Sequence, residues 1–149
     1  MSLEKKIAED LKAAMKAKDK TALRGIRAVK AAILLAKTDG SGKELNEESE
    51  IKLLQKLIKQ RKDSADIYLK QNRKELAQTE LEEIAIIEKY LPAQLDEAEL
   101  EVILAKIIKD TGASSMKDMG KVMGLASKQL AGQADGKTIS GIVKRLLNS

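Results

Sequence analysis

The sequence predicts an all-α protein: an N-terminal bundle of long helices over residues 1–92, followed by a small C-terminal three-helix domain over 93–149. Three observations carry this. Apolar residues recur at three- and four-residue steps along most of the 149 residues, the mark of one helix face. Aromatic residues make up 1%, only Tyr68 and Tyr90, so the core is aliphatic, whereas sheets lean on β-branched and aromatic side chains. The single proline, Pro92, disfavours helix at Leu91 and continues one through its own position only at high cost. It marks the boundary between long and short helices.

The first helix is expected over Leu3–Lys18, with Leu3, Ile7, Leu11, Ala14 and Met15 on one face. Asp19 is placed to cap a second helix, Lys20–Lys37. Ala22, Ile26, Val29 and Ile33 form its inner stripe, and Leu23, Leu34 and Leu35 widen the arc enough to predict packing on more than one side. Residues 38–43, rich in Gly, Ser and Asp, read as a loop. Asn46 caps a third helix that runs to about Gln71, with Glu47, Glu48 and Glu50 at the positive end of its dipole. Asn72 breaks the chain, and a fourth helix to Tyr90 turns Leu76, Ile84, Ile87 and Leu91 inward. Beyond Pro92, Asp96-x-x-Glu99 resembles a capping box and opens a helix ended by Gly112. Ser115-x-x-Asp118 opens the next, to about Leu130, and Asp135 or Gly136 starts the last. No strand candidate, internal repeat or low-complexity tract is found.

Hydrophobic residues at 43% and charged residues at 34% describe a folded chain with a core. There is no Cys and no His, which removes disulfides, thiolate and histidine catalysis and zinc-finger sites. The scarcity of aromatic rings argues against modules that stack unpaired bases. Glu80, Glu83 and Glu88 lack the histidine partners of a carboxylate metal centre. No catalytic residue, metal site or cofactor is therefore expected. No apolar run approaches the ~20 residues that span a bilayer, so no membrane partner is expected. The first dozen residues have no apolar h-region. A cytoplasmic location is the default expectation.

The net charge is +5, which permits an anionic partner. Residues 112–149 are the most cationic stretch, with six bases against two acids. In a helix over Met116–Leu130, Met116, Met119, Met123, Ala126 and Leu130 would form the core side, and Lys117, Lys121 and Lys128 the opposite side. Gly124 lies among the lysines and Gly120 on the flank. Glycine inside a helix costs about 1 kcal/mol relative to Ala, so both need a reason. One reading is a lysine-rimmed, glycine-floored strip that admits a phosphodiester backbone. The other is a solvated lysine face, with glycines that let a neighbouring helix pack closely. Gly132, Gly136 and Lys137 lie in the following turn, which ends in a helix N-terminus able to hold an anion. Lys52, Lys56, Lys59 and Lys70 read as a solvated face. Arg61, at the edge of an apolar stripe, is placed to pair with an acid across helices.

Several segments resemble one known family. They are Asp10-Leu11-Lys12, Lys59-Gln60-Arg61-Lys62-Asp63-Ser64-Ala65, Tyr90-Leu91-Pro92-Ala93-Gln94-Leu95, Asp118-Met119-Gly120-Lys121-Val122-Met123-Gly124 and Ala134-Asp135-Gly136-Lys137. Together they resemble the YqeY-like (GatB/YqeY) family of bacterial stand-alone proteins. That family is similar to the tail domain of the B subunit of tRNA-dependent amidotransferases. The resemblance implies an all-helical fold and a non-catalytic accessory module that binds tRNA or another structured RNA, since that tail grips the outer body of the tRNA. The candidate RNA-binding residues are Lys117, Gly120, Lys121, Gly124, Lys128, Gly132, Gly136 and Lys137. Gln133 stands where the family usually shows Lys or Arg. The alternatives are a component of a glutamine-dependent amidotransferase, a carbon–nitrogen ligase with partner subunits, or a protein–protein adaptor. An amidotransferase or translation-related protein is the protein partner so implied.

Overall fold

The computed structural model describes residues 2–39 and 45–148. Most of the glycine-rich loop expected at 38–43 lies outside them. The described residues form seven α-helices and no strand: α1 Leu3–Ala17, α2 Lys20–Lys37, α3 Glu47–Lys70, α4 Lys74–Glu88, α5 Glu97–Thr111, α6 Met119–Gln129 and α7 Gly136–Leu147. A 3-10 turn, Met116–Asp118, precedes α6. The chain divides into two compact units, Met1–Leu91 and Pro92–Ser149.

Short polar side chains start most of the helices. Ser2, Asp19, Asn46, Asp96 and Asp135 each accept a backbone N–H three residues on, satisfying donors that a helix start leaves open. Left-handed residues mark three of the stops. Gly112 closes α5 at φ 70° and Asn72 sits between α3 and α4 at φ 60°, a conformation that glycine and asparagine tolerate best. Lys18, at φ 55°, turns α1 into α2 without a glycine.

In the first unit α2 packs against α1, α3 and α4, and α3 packs along α4. The core is Ile7, Ala14, Ile26, Val29, Ile33, Leu54, Ile58, Ile84 and Ile87. Gly25 is buried, and a Cβ there would lie 2.6 Å from Cβ and Cγ2 of Ile86, so the α2 backbone meets an α4 side chain directly. Next to it Arg24 reaches Glu82 at 2.8 Å, and Arg61 of α3 reaches Glu83 at 3.0 Å, the cross-helix pair expected for Arg61. Burial and then the Glu83 charge hold the Glu80 carboxyl above its ordinary range.

Expectations at five positions of this unit are corrected. Met15, Leu69 and Leu76 are about half exposed, and Leu34 and Leu35 more so. On α3 and α4 the small residues Ala65 and Ala77 take the inside positions near the connecting turn, and their larger neighbours turn outward. On α2 the multiple packing is real, but Gly25, Ile26, Val29 and Ile33 provide it, not the leucines of the last turn.

In the second unit α5, α6 and α7 pack pairwise around Leu100, Leu104, Ile107, Val122, Ala126, Leu130, Ile139, Ile142, Val143 and Leu147. Its first residues are strapped to the α6–α7 connection. Leu95 N–H donates to the Gln133 carbonyl at 3.0 Å, and Gln94 Nε2 donates to the Gly132 carbonyl at 2.6 Å. Among the described residues no polar or charged side chain is buried.

Gly25→Ala should destabilise the protein by about 1–3 kcal/mol, because Ile86 offers a branch point rather than a flexible end; urea unfolding measures it. Residues 1–92 expressed alone should stay helical by circular dichroism, since their core is their own. A third outcome concerns Tyr90, whose hydroxyl donates to Asp10 Oδ2 at 2.6 Å while Lys6 Nζ lies 5.4 Å from the ring centroid. Burial, then the bond to Asp10, raises its pKa above the ordinary 10.0. The fold therefore holds the neutral phenol, and its contribution is complete below pH 10 and fades as pH climbs beyond. Tyr90→Phe should cost about 1–2 kcal/mol at pH 7, and its deficit should narrow above pH 10.

Candidate nucleic-acid interface

The start of the candidate strip is fixed by Asp118. Its Oδ2 accepts from Ser114 N at 3.0 Å and Ser115 N at 3.4 Å, which folds Met116–Asp118 into a 3-10 turn. The α-helix begins only at Met119, three residues later than the sequence predicts. Lys117 thus stands in the turn, and helical steps of 100° do not align it with Lys121 and Lys128. The methionine stripe is also corrected. Val122, Ala126 and Leu130 are the buried line, Met119 and Met123 flank it, and Met116 is 40% exposed. The β-branched Val122 fills the tight interior position, and the flexible thioethers seal the edge.

On the outer side of α6, Lys121 and Lys128 are exposed two turns apart, with Gly120 and Gly124 also exposed. A Cβ on either glycine would meet no atom within 4 Å. Among the described residues, no neighbouring helix packs on these glycines, while the lysines beside them are solvated under either reading. None of Lys117, Lys121, Lys128 and Lys137 forms an ion pair with a described residue.

The turn that follows departs from expectation. Gly132 is buried at φ 78° with its carbonyl taken by Gln94, so it shapes the turn and does not belong to the open surface. Gln133 Nε2 faces the Ala93 carbonyl at 3.5 Å, which gives the unusual glutamine a place in the strap. The N-terminus of α7 is already capped: Asp135 Oδ1 accepts from Thr138 N at 2.7 Å. A carboxylate there occupies the positive end of the dipole and disfavours a second anion. Gly136 and Lys137 remain exposed. The structure therefore brings Gly120, Lys121, Gly124 and Lys128 together on one helix face, leaves Lys117, Gly136 and Lys137 exposed outside it, and removes Gly132.

Two residues outside this reading share its features. Gly141 is exposed, and a Cβ on it would meet no atom within 4 Å; Lys144 is exposed three residues on. The Lys137-x-x-x-Gly141-x-x-Lys144 spacing was the available signal. In the first unit, the third-helix lysines are solvated as expected, with Lys52 pairing with Glu48 at 3.2 Å. A shallow groove of about 370 Å³ lined by Asp10, Ala14, Asp19, Ile86 and Tyr90 lies there, and none of the candidate residues lines it. No group of three or more Asp or Glu able to hold a metal is found among the described residues, and no described helix is long and apolar enough to cross a membrane.

Comparison with known proteins gives a family. The family model described as "Yqey-like protein" matches residues 4–147. The chain is 35% identical over 136 residues to "Altered inheritance of mitochondria protein 41, mitochondrial" of Kluyveromyces lactis, covering 91% of this chain and 71% of that protein. It is 39% identical over 110 residues to the protein of that name from Lachancea thermotolerans, covering 72% and 58%. The chain thus spans 58% to 71% of the length of these two relatives. They overturn the expectation of a bacterial, cytoplasmic protein, because they are yeast proteins named mitochondrial. The cytoplasmic expectation is a default drawn from the apolar pattern of the chain, which does not separate compartments, and the bacterial one comes from the family resemblance. The match across 144 of 149 residues and the helical fold agree: the chain belongs to the YqeY-like family.

Proposed function

We propose that this protein is a non-catalytic accessory module that binds tRNA or another structured RNA through the outer face of α6. The observation that carries the reading is Gly124, open to solvent between Lys121 and Lys128. A helical glycine with no packing role lowers helix propensity, and close approach of an external backbone is the use that glycine serves. Lysines on either side supply cations without acids among them, and phosphate contacts of this kind position an RNA without reading its bases. The resemblance read in the sequence between Gly120-Lys121-Val122-Met123 and residues 132–137 and the tail domain of the amidotransferase B subunit points to the same ligand. Under this reading any amide transfer belongs to partner subunits, and the chain contributes grip.

Changing Lys121 and Lys128 together to Gln should reduce the slope of log affinity against log salt by about two units for a transcribed tRNA. Stability should change by less than ~0.5 kcal/mol, as for exposed sites generally. Gly124→Leu should raise the melting temperature through helix propensity and weaken RNA binding by crowding the strip. Unchanged tRNA affinity in the K121Q/K128Q variant would defeat the proposal and favour a protein–protein adaptor.

A further inference from the structure

We propose that α7 carries a second phosphate track, Lys137–Gly141–Lys144, and that the ligand is an RNA presenting two backbone strands rather than one extended strand; this rests on the RNA reading of α6. On α7 the buried residues are Ile139, Ile142, Val143 and Leu147. At 100° per residue, Lys137, Gly141 and Lys144 fall together on the opposite side. On α6, Lys121, Gly124 and Lys128 stand in the same relation to Val122 and Ala126. Each helix thus has two lysines seven residues apart, about 10.5 Å along the axis, with an exposed glycine between them. Neither glycine has an atom within 4 Å of its Cβ position. Beyond their caps, Asp118 and Asp135, neither helix contains an acid, and the remaining cation of α7, Arg145, is engaged by Glu101 at 3.3 Å. Charge complementarity therefore selects a polyanion on both helices.

The two-strand character follows from the packing. α6 and α7 pack on each other and on α5, and each lysine line lies opposite its helix's buried side. The two lines therefore form separate ridges. A duplex carries two phosphate backbones, one for each line, whereas a single strand carries one. The second unit also holds no aromatic residue, since both tyrosines lie before Pro92. It lacks the rings on which unpaired bases stack, whereas duplex RNA is held through its backbone and shape.

The test uses the full chain with two probes, a 20-base-pair RNA hairpin and a 20-nucleotide oligouridylate, titrated with salt. The hairpin should bind at least about tenfold more tightly. K137Q/K144Q should lower the hairpin salt slope by about two units and bring its affinity to that of the single strand. Gly141→Leu should weaken hairpin binding without lowering the melting temperature. If K121Q/K128Q weakens hairpin binding and K137Q/K144Q does not, the second track is overturned and the α6 reading stands. Equal affinity of wild type for both probes overturns the two-strand claim. Binding of neither probe at low salt, or binding instead to phosphatidylserine vesicles, overturns both readings.

Discussion

The first unit depends on the absence of one side chain. At Gly25 the α2 backbone lies against the branched Ile86 side chain, close enough that a Cβ would overlap it. That approach sets the neighbouring contacts. Arg24, next in sequence, reaches Glu82 and lies 3.9 Å from Glu83. Arg61 arrives from α3 on the same Glu83 and also donates to the Leu57 carbonyl at 3.1 Å. Both Arg61 and Glu83 side chains are only 17% exposed, so the pair is more sheltered than a surface ion pair, which is worth little. α4 thereby acts as the common wall for α2 and α3, and beyond its far end Tyr90 extends the contact to Asp10 of α1.

Glycine has opposite uses in the two units. Gly25 is there because a neighbour is too close; Gly120, Gly124 and Gly141 have no neighbour at all. A sequence does not separate these cases, since each is a lone glycine within a helical pattern. Gly25 carried no signal beyond its position between Arg24 and Ile26, and Ile86 lies some sixty residues away. The strip glycines drew attention only because lysines flank them.

What could be read from the sequence was local. Asp19, Asn46, Asp96 and Asp135 act at three-residue range, so the caps were legible, as were the stops at Asn72 and Gly112. The inner stripes were legible at their centres and not at their edges. Met15, Leu69 and Leu76 sit where a half-turn decides burial, and the choice of Ala65 and Ala77 for the inside depends on how closely α3 and α4 approach. On the candidate site, Lys121, Gly124 and Lys128 kept their relation because they lie within one regular helix. Lys117 lost it because Asp118 tightens the chain into a 3-10 turn, and Gly132 lost it because Gln94, 38 residues distant, takes its carbonyl. Gln94 and Leu95, within the Tyr90–Leu95 segment of the family resemblance, thus strap the start of the second unit to its α6–α7 connection.

The open glycines matter more because that unit is small. A domain of about 58 residues has a stability of only about 3–9 kcal/mol at ordinary values per residue. Three exposed helical glycines together forgo about 2–3 kcal/mol of helix propensity relative to alanine, a large fraction of that range. An alanine at any of the three would meet no atom, so nothing in the fold itself opposes the stabilising substitution. Under the proposed function, a feature that weakens a marginal unit without serving its packing answers a demand from outside the chain. Under the same proposal the flanking lysines, with no acid within their own helices, give that demand its sign: the partner is an anion.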